Sequence, residues 1–144
     1  MAATAPIEEE KRLARAFPEE VATNGDIDRI DDICTEDVVD RSPLGTVRGR
    51  EDLKAQMRGV REAFEGFTAT VEDIVAEGDT VAMRLTLTGK HVGEFMGVPG
   101  TDREVEIENM VFTRFEDGKI AERWVQPDML GVMQQVGAVD IPPK

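Results

Sequence analysis

The chain has 144 residues, 40% of them hydrophobic, a length that suits one domain built on one core. Thirty acids against 17 bases leave a formal charge of −13, spread along the chain. So acidic a surface repels phosphate backbones and anionic bilayers, which argues against nucleic-acid and membrane partners. It fits a solvated acidic protein, and a salt-adapted (halophilic) one is favoured over an ordinary acidic one because salt screens self-repulsion. No apolar run is long enough to span a membrane, and residues 1–10 lack a basic segment followed by an apolar one, so a cytoplasmic location is expected. Cys34 is the only cysteine, which excludes an internal disulfide.

From the N-terminus, Leu13, Ala14, Phe17 and Val21 form the apolar stripe of a helix predicted over about Ile7 to Ala22, with Pro18 expected to kink or interrupt it. Asn24-Gly25-Asp26 should stop this helix and cap a short second one carrying Ile27, Ile30 and Ile33 on one face. Val38 and Val39 suggest a short strand ended by Ser42-Pro43-Leu44-Gly45. A third helix is predicted from about Arg50 to Phe64, with Leu53, Met57, Val60 and Phe64 along one side.

The period then changes from helical to alternating. Thr68 to Ala76 reads as a strand, and Glu77-Gly78-Asp79 as a turn. Val81, Met83, Leu85 and Leu87 form the inward face of a second strand. Glu104 to Phe115 and Lys119 to Gln126 read as two strands joined at the hairpin signal Asp117-Gly118. Leu130, Met133 and Val136 mark a short closing helix. Helices followed by hairpin-linked strands indicate an α+β domain: a curved antiparallel sheet packed on the N-terminal helices, with room for a pocket between them.

The motifs His91-Val92-Gly93, Met96-Gly97-Val98-Pro99, Thr101-Asp102-Arg103, Asp117-Gly118-Lys119-Ile120, Asp128-Met129-Leu130-Gly131 and Gln135-Val136-Gly137 are quite specific in their order and spacing. With them the chain resembles the SnoaL-like polyketide cyclases, or ester-cyclase-like proteins. The likeness covers most of residues 1–144, most strongly the last third. It implies a single domain with the cone-shaped α+β barrel of the nuclear-transport-factor-2-like superfamily, assembled as a homodimer or larger homo-oligomer. It also implies cofactor-free and metal-free ring closure, in which an Asp removes a proton beside a carbonyl in an apolar pocket. Counted along the motifs, that Asp position falls on Val125 and the assisting His position on Val111. Valine cannot move a proton.

Other residues therefore become candidates. Asp40 ends the first predicted strand, where the resemblance places the pocket mouth. It is either a relocated base or an acid paired with Arg41 or Arg123. Strand alternation puts Arg123 beside Val125, and Asn109 beside Val111, on one face. Asn109 could orient a ligand carbonyl, and Arg123 either binds a ligand oxygen or pairs with an acid. Phe17, Asn109, Val111, Arg123, Val125 and His91 form the expected ligand-contacting set. His91, the only histidine, reads first as a strand-end residue bonded to backbone. One His and one Cys make no zinc cluster, so no metal is expected. Asp128, after Pro127 at a helix start, reads as a cap rather than a proton carrier. Phe95, Met96 and Val98 either close over the pocket or, as favoured, pack against a second subunit. The expected function is binding of a small, largely apolar carbonyl compound, with cyclase, isomerase or lyase chemistry if catalytic. The alternative is a non-enzymatic binding or dimerisation module.

Overall fold

The computed structural model describes residues 7–140. Helix α1 spans Ile7–Ala16 and continues as a π-helical segment over Phe17–Thr23. The predicted single helix is therefore interrupted where Pro18 stands. Proline cannot donate to the helical ladder, and the wider register takes over. The Thr23 hydroxyl donates to the Pro18 carbonyl at 2.8 Å, five residues back, and the Asn24 N–H donates to Glu19 at 3.3 Å. The Ala69 N–H in turn donates to Thr23 Oγ1 at 2.9 Å, which ties this segment to the sheet. Gly25 turns the chain at φ +77°. A 3₁₀ turn over Ile27–Arg29 and helix α2, Ile30–Ile33, follow. Asp26 precedes the turn but makes no side-chain cap bond, contrary to expectation. Ile30 and Ile33 are fully buried, as their spacing predicts.

Strand β1, Cys34–Ser42, is longer than Val38-Val39 suggested, because Glu36 and Asp37 sit exposed within it and mask the alternation. It returns through a tight turn into β2, Gly45–Arg48, a strand that the sequence reading missed. Helix α3, Arg50–Ala63, leads to strands β3, Phe64–Glu77, and β4, Thr80–His91. Strands β5, Glu104–Glu116, and β6, Lys119–Pro127, and helix α4, Met129–Gln135, complete the chain. Asp117 and Gly118, at φ +52° and +78°, turn β5 into β6.

The six strands form one curved, unclosed sheet in the order β2-β1-β6-β5-β4-β3. The expectation of an antiparallel sheet needs correction: β1 and β6 pair in parallel, so the sheet is mixed. Helix α3 carries the chain from β2 across to the far edge. Three hairpin reversals then bring β6 back in the direction of β1. The main core lies between the sheet and the N-terminal helices, centred on Phe17, Val21, Ile30, Leu53, Leu85 and Ile120. A second cluster joins Phe64, Val105 and Ile107 to Val132 and Val136 of the C-terminal segment. Leu130, predicted to face inward, is exposed, and Val132 takes its place.

Candidate functional site

Between the concave sheet face and the helices lies a cavity of about 130 Å³. Its walls are largely aliphatic and aromatic. Phe17, Pro18 and Ala22 come from the π-helical segment, Met57 and Val60 from α3, and Val105, Ile107 and Val111 from β5. The π register thus forms part of the wall. Apolar cavities of about 150 Å³ admit one benzene ring, so this hollow matches roughly one ring of a larger molecule.

Asp40, Asn109 and Arg123, all in the lining, lie on the adjoining strands β1, β5 and β6. Asp40 and Arg123 are direct partners in the parallel β1–β6 register. Arg123 Nη1 donates to Asp40 Oδ2 at 2.5 Å, and the two side chains are only 4% and 8% exposed. The guanidinium also lies over the Phe17 ring, 3.6 Å from its centroid. A buried charge is costly unless paired and hydrogen-bonded, and this cluster supplies both the carboxylate and an aromatic face. Its Nε remains without a partner, as does Oδ1 of buried Asn109. Among the described residues Asp40 is the one carboxylate in the lining, and Arg123 the one cation.

Val111 and Val125 face each other across the β5–β6 ladder, and both line the cavity beside Asn109 and Arg123. The tertiary structure therefore brings together Phe17, Asp40, Asn109, Val111, Arg123 and Val125. Trp124 points to the other face and is exposed. His91 is not in the lining. Its ring is fully buried against Phe64 at a centroid distance of 5.4 Å, and Nδ1 lies 3.0 Å from Thr101 Oγ1. Its backbone groups bond to Arg103, Thr101 and Asp102, closing the base of the loop that follows β4. The sequence favours packing of Phe95, Met96 and Val98 against a second subunit over a lid, and for Phe95 and Val98 that expectation needs correction, because both find burial within their own chain. Phe95 lines the cavity and meets Phe64 edge-on at 5.0 Å, and Val98 packs against the second core cluster. Met96 alone of the three is exposed.

Asp128 is a helix cap: its Oδ1 accepts from the Gly131 N–H at 2.9 Å, at the start of α4. A Cβ at position 131 would meet Asp128 Oδ2 at 2.3 Å, so glycine there lets the cap close. Gln56 was missed by the sequence reading. It lines the cavity from α3, and its Oε1 is buried without a partner. Helical periodicity places it one residue before the apolar stripe at Met57, next to the wall, but nothing in its local sequence sets it apart from a surface glutamine. Among the described residues no three of His, Cys, Asp and Glu come together in a way that could hold a metal ion. No helix among them is long and apolar enough to cross a membrane.

Comparison with known proteins adds the relatives of this site. The chain is 37% identical over 93 residues to the aklanonic acid methyl ester cyclase DnrD of Streptomyces peucetius, a match covering 63% of each chain. It is 36% identical over 85 residues to the nogalonic acid methyl ester cyclase of Streptomyces nogalater, covering 58% of this chain and 63% of that one. These matches thus span less than two thirds of the cyclases' own length. In three dimensions it resembles AclR of Streptomyces galilaeus, a proposed hydroxylase, with a TM-score of 0.83 at 32% identity over 96% of this chain and 91% of that one. It also resembles a proposed SnoaL-like polyketide cyclase of Jannaschia sp. CCS1, with a TM-score of 0.86 at 26% identity over 99% and 100% of the two chains. The sequence pattern of SnoaL-like polyketide cyclases matches residues 12–136, and with this fold around the cavity the chain belongs to that family.

Proposed function

We propose that the protein binds a small, largely apolar, carbonyl-bearing molecule in this cavity and moves a proton beside the carbonyl, with Asp40 as base. The observation that carries the reading is that one buried carboxylate lines a largely apolar cavity, while valines hold the positions to which the resemblance assigns Asp and His. Asp40 takes a proton from the carbon next to the carbonyl, and the electron pair moves onto oxygen. The unpartnered Nε–H of Arg123 and the amide of Asn109 receive that charge, in a low-dielectric setting where such bonds count most. If the enolate carbon then attacks a second carbonyl of the same molecule, a carbon–carbon bond forms and the new alkoxide regains the proton. The sequence is redox-neutral and balances without a cofactor.

The Asp40–Arg123 pair bears on this role in two ways. It fixes the carboxylate in the wall, and it occupies Oδ2, leaving proton abstraction to Oδ1. Asp40→Asn keeps the shape and the bond to Arg123. On a panel of aromatic keto esters it should abolish turnover while ligand affinity stays within a few-fold. Undiminished turnover would remove Asp40 from the mechanism.

A non-enzymatic binding protein is the second reading, favoured by the facing Val111 and Val125, which present only methyl groups to an occupant. It predicts a ligand retained in native mass spectrometry and no turnover even by the unaltered protein. For the wider setting we propose a single domain over residues 1–144, working in the cytoplasm at raised salt as a homodimer, without nucleic-acid or membrane partners. The −13 charge supports this setting, and a thermal midpoint that climbs with KCl would test it.

A further inference from the structure

The polar groups of the cavity are almost sealed from solvent: Asp40 is 3% exposed, Asn109 6% and Arg123 7%. A ring-sized molecule therefore reaches them only when part of the wall moves. Most of the wall is firmly held. The strands and the β1–β2 turn are closed by their ladders. The π-helical segment is tied to β3 through Thr23 and to α3 through Arg61, whose Nη1 donates to the Thr23 carbonyl at 3.0 Å. Helix α3 buries Leu53, and Arg50 at its start donates twice to the Cys34 carbonyl, at 3.1 and 2.7 Å. The loop that carries Phe95 is anchored where the Val92 and Gly93 N–H groups donate to Ala63, at 2.9 and 3.1 Å. The remaining piece is α4, which brings Met129 and Val132 into the lining.

Helix α4 sits where β5 outruns its neighbour. The pairing of β5 with β6 ends at Asn109 and Pro127, while its pairing with β4 continues to Glu104. Residues 104–108 thus present a free edge, which α4 covers in place of a strand. At the near end the Asp128 N–H donates to the Glu108 carbonyl at 3.0 Å. At the far end the Gln135 amide meets the Glu106 backbone in both directions: Oε1 accepts from its N–H at 2.8 Å, and Nε2 donates to its carbonyl at 2.9 Å. Arg103 Nη1 adds a longer bond to the Gln135 carbonyl, at 3.4 Å. These far-end bonds are open to solvent. Within the helix only Gly131 and Val132 are buried, and Leu130 on its outer side is exposed. Few buried apolar side chains and solvent-exposed hydrogen bonds mark a segment that opens well before the whole molecule unfolds.

We infer that α4 is a latched door to the cavity, swinging as a unit about Asp128, with Gln135 as the latch. From Asp128 to Gln135 the helix is about 10 Å long at roughly 1.5 Å per residue, so a tilt of about 30° lifts its far end by about 5 Å. That movement draws Val132 away from Val105 and Ile107 and opens the cavity along the free edge of β5. The bond from the Gly131 N–H to Asp128 Oδ1 lies at the pivot and is kept. The inference goes beyond the reading above, which concerns the occupant, and supplies its way in. The latch is made alike in the empty and the filled protein. Breaking it changes how fast a molecule enters and leaves, and not how tightly it is held.

Hydrogen exchange of the ligand-free whole chain tests the door, and stopped-flow binding of prodan, an apolar fluorescent naphthyl ketone, tests the passage. Amides of residues 131–136 should exchange through a local opening, ahead of those of β4, and Gln135→Ala should speed them about tenfold, the scale of two solvent-exposed hydrogen bonds, with β4 unchanged. The same variant should raise the entry and exit rates of prodan each about tenfold and leave its dissociation constant within about twofold. Gln134→Ala, at the exposed neighbouring position, should change none of these. Circular dichroism checks that Gln135→Ala is folded, and if it is not, Gln135→Glu, which removes one of the two bonds, replaces it. Protection of α4 equal to that of β4, lost only with global unfolding, would overturn the door. So would an unchanged exit rate, or a weakened affinity carried by exit alone. If α4 opens as expected and prodan does not bind, the door stands and the binding reading falls.

Discussion

Replacing Arg123 with methionine removes the cation of the buried pair and keeps most of the side-chain volume. Asp40 is then left 3% exposed, with an unpaired carboxylate in an apolar wall, and the stack on Phe17 is lost as well. Removing one partner of a buried pair costs about 3–5 kcal/mol. For a chain of this size that corresponds to a thermal midpoint lowered by roughly 10–15 °C, taking about 3 °C per kcal/mol. Asp40→Leu together with Arg123→Met replaces the pair by apolar groups and should restore most of the loss, giving a coupling energy of about 3 kcal/mol. Urea unfolding followed by far-ultraviolet circular dichroism measures the double variant and both single ones, Arg123→Met and Asp40→Leu. A single-variant cost below about 1 kcal/mol, the range of exposed ion pairs, would refute the reasoning. So would a double variant that loses the sum of the two singles.

Further outcomes follow from three other parts of the structure. Asp128→Ala should lower stability by about 1 kcal/mol through loss of the α4 cap, read as a shift of the urea midpoint at unchanged slope. Burial pushes the Cys34 thiol up to about 12 despite the nearby charges of Arg123 and Arg50, so a thiol reagent at pH 8 should label it only after unfolding. Because its folded value lies above the ordinary 9.0, this thiol's contribution to stability is complete below pH 9 and is lost as pH rises towards 12. Cys34→Ala should flatten that alkaline decline. Glu10 is raised by burial and by the charge of Asp79, and its Oε1 has no partner. Its folded value thus exceeds the ordinary 4.5, so its contribution is most favourable below pH 4.5 and is lost as pH rises through the folded value. Glu10→Gln should therefore raise the urea midpoint at pH 7 and lose that advantage near pH 4.

Local patterns carried much of the architecture. The alternation of Val81, Met83, Leu85 and Leu87 and the Asp117-Gly118 turn mark β4 and the β5–β6 hairpin, because a half-buried strand writes its burial directly into the order of residues. The stripe of Leu53, Met57 and Val60 does the same for α3. Strand β2, with the residues Gly45-Thr46-Val47-Arg48, has no such signal. It lies at the edge of the sheet, with nothing to bury on one side. Leu130 is exposed and Val132 buried in its stead because a seven-residue helix is too short for its apolar period to fix which face turns inward.

Composition and spacing by themselves determined that this is an acidic α+β chain with helices before strands, and they put Asn109 with Val111 and Arg123 with Val125 on shared faces. Only the tertiary structure decided that β1 lies parallel to β6. That pairing sets Asp40 against Arg123 across 83 positions of chain, turning a strand-end acid into a buried ion pair. It also decided that His91 belongs to a loop base rather than to the cavity. Periodicity records which side of its own strand a residue occupies. It carries no record of which strand comes to lie alongside, and at this site the neighbouring strand supplies the chemistry.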